Sequence, residues 1–122
     1  MKIRIKGNSI RLRLSKTEVA NFGTLGYLEE FTEIGTQQFT YALAKSNSAK
    51  HLHASLTGQK ITLHVPESIA TEWTNTDIVG FQHIELLPSG KELFLLLEKD
   101  FVCLDNTFED QSDNYPNPNA HC

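Results

Sequence analysis

Five cations alternate with aliphatic residues at the start of this chain: Lys2, Arg4 and Lys6, then Arg11 and Arg13. Guanidinium forks and ammonium groups in such a row suit the oxygens of phosphate or carboxylate. Between the two runs lies Gly7-Asn8, a pair that tolerates positive φ and so fits a tight hairpin turn. With those two residues as the loop, Arg4 faces Arg11 and Lys2 faces Arg13. Ile3, Ile5, Ile10 and Leu12 then fill the opposite face. Like charges directly across a ladder are mildly destabilising. The cationic face therefore calls for an anion, an acidic segment of the same chain, or solvent. The ordinary alternative is the solvated side of an alternating strand pair.

Histidines form the second candidate. A hairpin like the first is expected 51 residues further on, around Gly58, with His53 and His64 at the positions of Lys2 and Arg13. Those two imidazoles sit opposite each other, and His51, two residues before His53, is placed on the same face of the same strand. Three imidazoles on one surface could bind zinc, shuttle protons or sense pH. No carboxylate is placed by sequence to orient the rings, and surface histidines on an alternating strand explain the pattern as well. Cys103, His121 and Cys122 form a third group, readable as a disulfide, a thiolate metal site or two free thiols. A reducing compartment argues against the disulfide.

Catalytic signatures are missing. The sequence contains no nucleophile elbow, Walker loop, dinucleotide-binding glycine turn or zinc-protease helix. Glu29, Glu30 and Glu33 offer carboxylates, but acids clustered on a strand usually form a solvated face or pair with arginines. The net charge of −4 hides an asymmetry. Residues 1–16 carry six cations and no acid, whereas the remainder carries five lysines against 15 acids. Opposed blocks of this kind attract each other or a charged partner. An acidic pI near 5.7 argues against nucleic acid. Charges where a signal peptide needs an apolar stretch, and no apolar run of membrane-spanning length, predict a cytoplasmic protein without a membrane partner.

The elements that must position these residues follow from hydrophobic periodicity. Alternation with period two dominates residues 1–100. Ser15-Lys-Thr-Glu18 reads as a capping box that opens a helix burying Val19 and Phe22 and stopping at Gly23. Pro66 opens a second helix with Ile69, Ala70 and Trp73 as its buried stripe. Tyr27–Ile34 with Gln38–Lys45, and Ile78–Leu87 with Glu92–Lys99, read as further hairpins. The order strand, strand, helix, strand, strand thus occurs twice, over 1–50 and 51–100. Apolar positions correspond at an offset of 51 in the first hairpin and helix, and of 54 in the second hairpin. The fold class expected is α+β and β-rich: an eight-stranded antiparallel barrel, or a strongly bent sheet, with two short helices. Residues 101–122 read as an irregular acidic tail docked through Phe108 and Tyr115.

Three resemblances accompany this reading. The opening Met1–Leu14, Cys103-Leu-Asp105, Glu109-Asp-Gln-Ser-Asp113, Pro116-Asn-Pro118 and Cys122 together resemble a small uncharacterised bacterial family, which implies no activity. The element order is similar to that of the triphosphate-tunnel (CYTH) barrels, which line a channel with cations and glutamates. Their Glu-x-Glu-x-Lys signature is absent from this chain. Ile61–Ile69 resembles the strand–Pro–helix unit of AbrB-type DNA-binding proteins. The function expected is non-catalytic binding of an anionic ligand, phosphate- or carboxylate-bearing, by Lys2, Arg4, Lys6, Arg11 and Arg13. The alternatives are a tunnel-like hydrolase of phosphorylated substrates and a protein-interaction module. No cofactor is expected, with zinc at His51, His53 and His64 as the alternative.

Overall fold

A computed structural model of the chain describes residues 1–101 and 112–116. The elements follow the expected order: β1 (Lys2–Ile5), β2 (Ser9–Leu14), α1 (Lys16–Leu25), β3 (Tyr27–Ile34) and β4 (Gln37–Ser46). The second half supplies β5 (His53–Thr57), β6 (Lys60–Pro66), α2 (Glu67–Asn75), β7 (Gly80–Leu86) and β8 (Glu92–Lys99). The first hairpin has the register its two-residue turn dictates, with Arg4 opposite Arg11 and Lys2 opposite Arg13. The turn is closed by paired backbone hydrogen bonds between Lys6 and Ser9, and Gly7 has φ +54°. The β5–β6 hairpin repeats this around Gly58, which places His53 opposite His64.

The hairpins do not close into a barrel. They form two four-stranded sheets, ordered β1-β2-β8-β7 and β3-β4-β6-β5. Nor is the pairing wholly antiparallel, because the central ladder of each sheet, β2 with β8 and β4 with β6, is parallel. Each sheet therefore combines one hairpin from each half of the chain. Periodicity shows which residues point inward but not which strands pair or in which direction, so the expected barrel is replaced by two mixed sheets. The two parallel ladders share one register: Leu12 pairs with Leu97 and Leu63 with Leu43, positions related by the offsets of 51 and 54.

The inward faces hold the core. Leu12, Leu14, Leu95 and Leu97 of one sheet and Leu43, Leu63 and Val65 of the other are all at most 1% exposed. Val19 and Phe22 of α1 and Ala70 and Trp73 of α2 join the same cluster. Phe22 meets Trp73 edge to face, with ring centroids 6.4 Å apart, a preferred aromatic geometry. The indole N–H donates to the Val79 carbonyl at 3.0 Å, so the buried Trp73 leaves no polar atom unpaired.

Helix α1 runs past Gly23 and ends at Gly26, a left-handed cap with φ 72° whose N–H bonds to the Phe22 carbonyl. Gly23 has a different role. A Cβ there would lie 3.3 Å from the Cβ of Thr74 on α2. The glycine thus serves the crossing of the helices and not the end of one. At the other end of α1 the capping box is complete, with Ser15 accepting from the Glu18 N–H and Glu18 accepting from the Ser15 N–H. Glu18 also pairs with the buried Met1 ammonium. Burial pushes its carboxyl up, but the hydrogen bond and charge of that ammonium, together with the Ser15 bonds, hold it below the usual range.

Residues 112–116 lie against this same end of α1. Lys16 N–H donates to the Asp113 carbonyl at 2.9 Å, and the Thr17 hydroxyl donates to the Asp113 carboxylate at 2.9 Å. A carboxylate is well placed at a helix N-terminus, where unpaired N–H groups converge. Tyr115 N–H bonds to the Asp100 carbonyl, and its ring lies against Phe101 with centroids 5.5 Å apart. Phe108, Cys103, His121 and Cys122 lie outside the described residues.

Lys99 continues the inward face of β8 and is 5% exposed. Its ammonium donates to the Thr76 carbonyl at 2.7 Å and lies over the rings of Trp73 and Tyr115, 5.9 and 5.5 Å from their centroids. Aromatic faces and one carbonyl thus take the place of water around a buried charge. Burial lowers its pKa, and the charge of Asp77 partly opposes that shift.

Two glycine substitutions separate close approach from turn conformation. A Cβ on Gly80 would lie 2.2 Å from the Leu97 carbonyl oxygen, whereas one on Gly7 would meet nothing within 4 Å. Gly80→Ala should cost roughly 3 kcal/mol, the upper end of overpacking costs, and Gly7→Ala about 1 kcal/mol from its positive φ. Urea unfolding of the two variants checks the order. Equal losses would contradict this account of Gly80.

Candidate functional site

Two polar surfaces stand out, one on each kind of candidate residue. Arg11 and Arg13 alternate along β2 with the buried Leu12 and Leu14, so both arginines face outward, away from the core. The next strand inward is β8, where Glu98 pairs with Arg13 in the parallel ladder. Its carboxylate lies 2.5 Å from Arg13 Nε and 3.6 Å from Arg11 Nε. Lys2 Nζ lies 3.0 Å from the buried Asp100 carboxylate. The counter-charges for these cations thus include acids at the end of β8. Asp113, an acid of the tail, is bonded to α1 instead.

Glu98 and Asp100 serve one side of the cationic face. Further along the hairpin, Arg4 and Lys6 form no ion pair with a described residue, and with Arg11 and Ser9 they border a pocket of about 180 Å³. Phe94 of β8, opposite Ser9, supplies an apolar wall. The five cations named from sequence are therefore brought onto one face but divided by their neighbours. Arg13 and Lys2 are engaged with acids, Arg11 is shared, and Arg4 and Lys6 face the pocket.

The second surface is a cleft of about 580 Å³ where the ends of β5 and β6 meet β7 of the other sheet. His53 and His64 are opposite each other as expected, with ring centroids 5.5 Å apart. His51 is not part of β5. It precedes the strand and stacks on His83 of β7, with centroids 4.5 Å apart and planes 5° from parallel. Between the two, Leu52 turns inward and is 2% exposed, which anchors this short segment.

Glu85 of β7 supplies the carboxylate that the sequence does not place. Its Oε1 lies 2.8 Å from His53 Nδ1 and accepts from the Ala54 N–H at 3.3 Å. The same oxygen therefore holds an imidazole and an edge N–H of β5, joining one sheet to the other. His64 Nε2 lies 2.8 Å from the Ser55 hydroxyl. Burial lowers the His64 pKa, the facing His53 lowers it further, and Glu85 partly opposes both.

This arrangement bears on zinc. An imidazole coordinates through a lone pair in the plane of its ring, about 2.0–2.1 Å from the metal. Rings stacked face to face direct those lone pairs along parallel planes and not toward one point. Among the described residues no three His, Cys, Asp or Glu side chains are grouped so as to hold a metal ion. The cleft presents its imidazoles as two stacked pairs, of which His53 and His64 also form hydrogen bonds. Sequence reasoning found His51, His53 and His64 but missed His83, Glu85 and Lys50, which also line the cleft. A signal was present in Phe81-x-His83-x-Glu85: two polar residues continue the inward parity set by Phe81, as residues bordering a cleft at a sheet edge do.

The fold and these sites define a class before any relative is considered: a two-sheet α+β domain with strongly polar strand faces and no recognisable catalytic motif. The chain belongs to a family of unknown function (DUF7009), whose model matches residues 1–119. Neither a curated protein nor a solved structure matches it. A triphosphate-tunnel site would need its cations inside a closed barrel. Here the sheets are separate and the arginines point outward. Among the described residues no helix is long and apolar enough to cross a membrane.

The depressed His64 pKa makes a pH prediction. Its folded value lies below the unfolded one, so the unfolded chain takes up the proton first as pH falls through about 6.5. The stability this group contributes is present above that value and is lost as pH falls toward the folded pKa. His64→Gln should therefore reduce the fall in urea midpoint between pH 7.5 and 5. An unchanged pH dependence in the variant would contradict the effect.

Proposed function

We propose that the protein binds a small anionic ligand, phosphate- or carboxylate-bearing, without catalysing its conversion, on the outward cationic face of β1–β2. The observation that carries this reading is the pocket shared by Arg4, Lys6, Ser9 and Arg11, with Phe94 beside it. Glu98 and Asp100 draw Arg13 and Lys2 to one side, which leaves a compact group of donors beside an apolar wall. Guanidinium forks recognise planar or tetrahedral oxyanions through paired N–H bonds. An aromatic neighbour suits a ligand whose anionic group is attached to an apolar or ring-bearing body.

Two supporting inferences belong with this reading. The repeated element order, and the common register of the two parallel ladders, support an internal duplication in which only one copy keeps the arginines. A cytoplasmic setting for the bound ligand is the second part of this reading.

Thermal stabilisation tests the site. A ligand at about 100 times its Kd adds about 2.7 kcal/mol, which for a domain of this size raises Tm by roughly 10 °C. A panel of nucleotides, polyphosphates and small carboxylates should contain a compound giving a shift of that order. Arg11→Glu, or the milder Arg4→Gln/Arg11→Gln pair, should abolish it. A panel that leaves the unaltered protein unshifted, or a shift that survives both variants, would refute binding at this face.

A further inference from the structure

The histidine cleft is a separate surface, formed by other strands, and its chemistry differs from that of the arginine face in one respect. Arginine stays charged at every pH a cell reaches, whereas imidazole changes charge near neutrality. The charged and titratable groups lining the cleft are His51 and His53 from the β5 side, His64 from β6, His83 and Glu85 from β7, and Lys50 from the loop before β5. Lys45 and Glu67 flank His64 in an adjoining hollow and offset each other in charge. With neutral rings, one lysine faces one glutamate and the cleft carries no net charge. With all four rings protonated it carries four net positive charges.

The stacking geometry makes that charged state costly for the protein alone. His51 lies over His83 with centroids 4.5 Å apart, and His53 over His64 at 5.5 Å. Like charges this close repel each other more strongly at a partly desolvated surface than in bulk water. Glu85 can answer only one of the four rings directly, through His53 Nδ1. The remaining positive charge needs an external anion. The cleft has room for one, being several times larger than a single oxyanion.

We propose that this cleft is a second, pH-gated oxyanion site. It takes a tetrahedral dianion, a phosphate or sulfate group, between the protonated imidazole pairs and Lys50, and releases it as the rings lose their protons. Protonation turns each ring into a double N–H donor, so the same event supplies both the charge and the hydrogen bonds. Linkage is reciprocal: the anion in turn favours protonation of the rings.

Sulfate is the first probe, because its charge is constant from pH 5 to 8 while that of phosphate is not. Calorimetric titration is done with the full chain carrying Arg4→Gln and Arg11→Gln, so that the cationic hairpin does not contribute. Sulfate affinity should rise at least ten-fold from pH 8 to pH 5.5. Glu85→Gln, which removes the internal competitor, should raise it further at pH 5.5. Both His51→Gln/His83→Gln and His53→Gln/His64→Gln should lose most of the rise. Circular dichroism confirms that each variant is folded, and the single changes His51→Gln and His83→Gln replace any pair that is not. Inorganic phosphate compared with a phosphate monoester at pH 5.5 then identifies the source. Tighter monoester binding points to a headgroup of a larger ligand, equal binding to the free anion, and either upholds the site. A pH-independent sulfate affinity, or a rise that the histidine variants retain, would overturn the proposal. Because arginines stay charged across this range, failure of the hairpin reading leaves this result unaffected, and the converse holds.

Discussion

The parallel ladders β2–β8 and β4–β6 are the constraint on which the rest of the molecule depends. Each joins a strand from the first half of the chain to one from the second, and each brings its leucines to the centre of the core. Two hairpins that could each form locally are thereby made into one sheet, and an isolated hairpin is at best marginally stable in water. The ladders also decide what the outward faces contain. Glu98 reaches Arg13 only because β8 lies beside β2 in that register. Glu85 reaches His53 only because β7, next to β8, brings its inward face toward the end of β5.

Local features of this fold could be read from sequence, and long-range ones could not. Gly7-Asn8 fixes the register of the first hairpin because a two-residue turn leaves no freedom in which residues face each other. The same arithmetic around Gly58 places His53 opposite His64. The capping box at Ser15 and Glu18 is equally local. Which hairpin lies beside which is decided by pairing between residues 20 apart in β4–β6 and 85 apart in β2–β8, where alternation carries no information. Strand direction is lost for the same reason, and a chain made of hairpins reads as antiparallel throughout. Gly23 misled because a glycine near the end of a helix has two uses, a cap or a crossing, and only the neighbouring helix distinguishes them. In the candidate sites, residues on one hairpin were found and their partners across sheets were not: Glu98, Phe94, His83 and Glu85 all come from the last hairpin.

The two polar surfaces show how one architecture can carry different electrostatics at corresponding positions. Lys2 and Arg13 of the first hairpin correspond to His53 and His64 of the second, and each pair occupies the outward face at the open end of its hairpin. Each also has an acid from the last hairpin beside it, Glu98 in one case and Glu85 in the other. Permanent charge in the first is balanced permanently. Conditional charge in the second is balanced by one carboxylate that also holds a backbone N–H of the edge strand. That second bond ties Glu85 to the backbone of β5 as well as to the ring, so the contact between the sheets does not rest on the imidazole alone.

Because every sheet takes one hairpin from each half, the link between β4 and β5 has a further consequence. Residues 47–52 are the only covalent connection between the halves, while the contacts that unite them lie in the ladders and the core. A second molecule could supply the opposite half with the ladder contacts unchanged, so two chains that opened this link together would close into an exchanged dimer. In such an exchange the balance between one chain and two would be set by the length and stiffness of six residues and by protein concentration. Those six include His51 and Leu52, one stacked on His83 and the other buried in the core. The segment that borders the histidine cleft is therefore also the hinge on which such an exchange would turn.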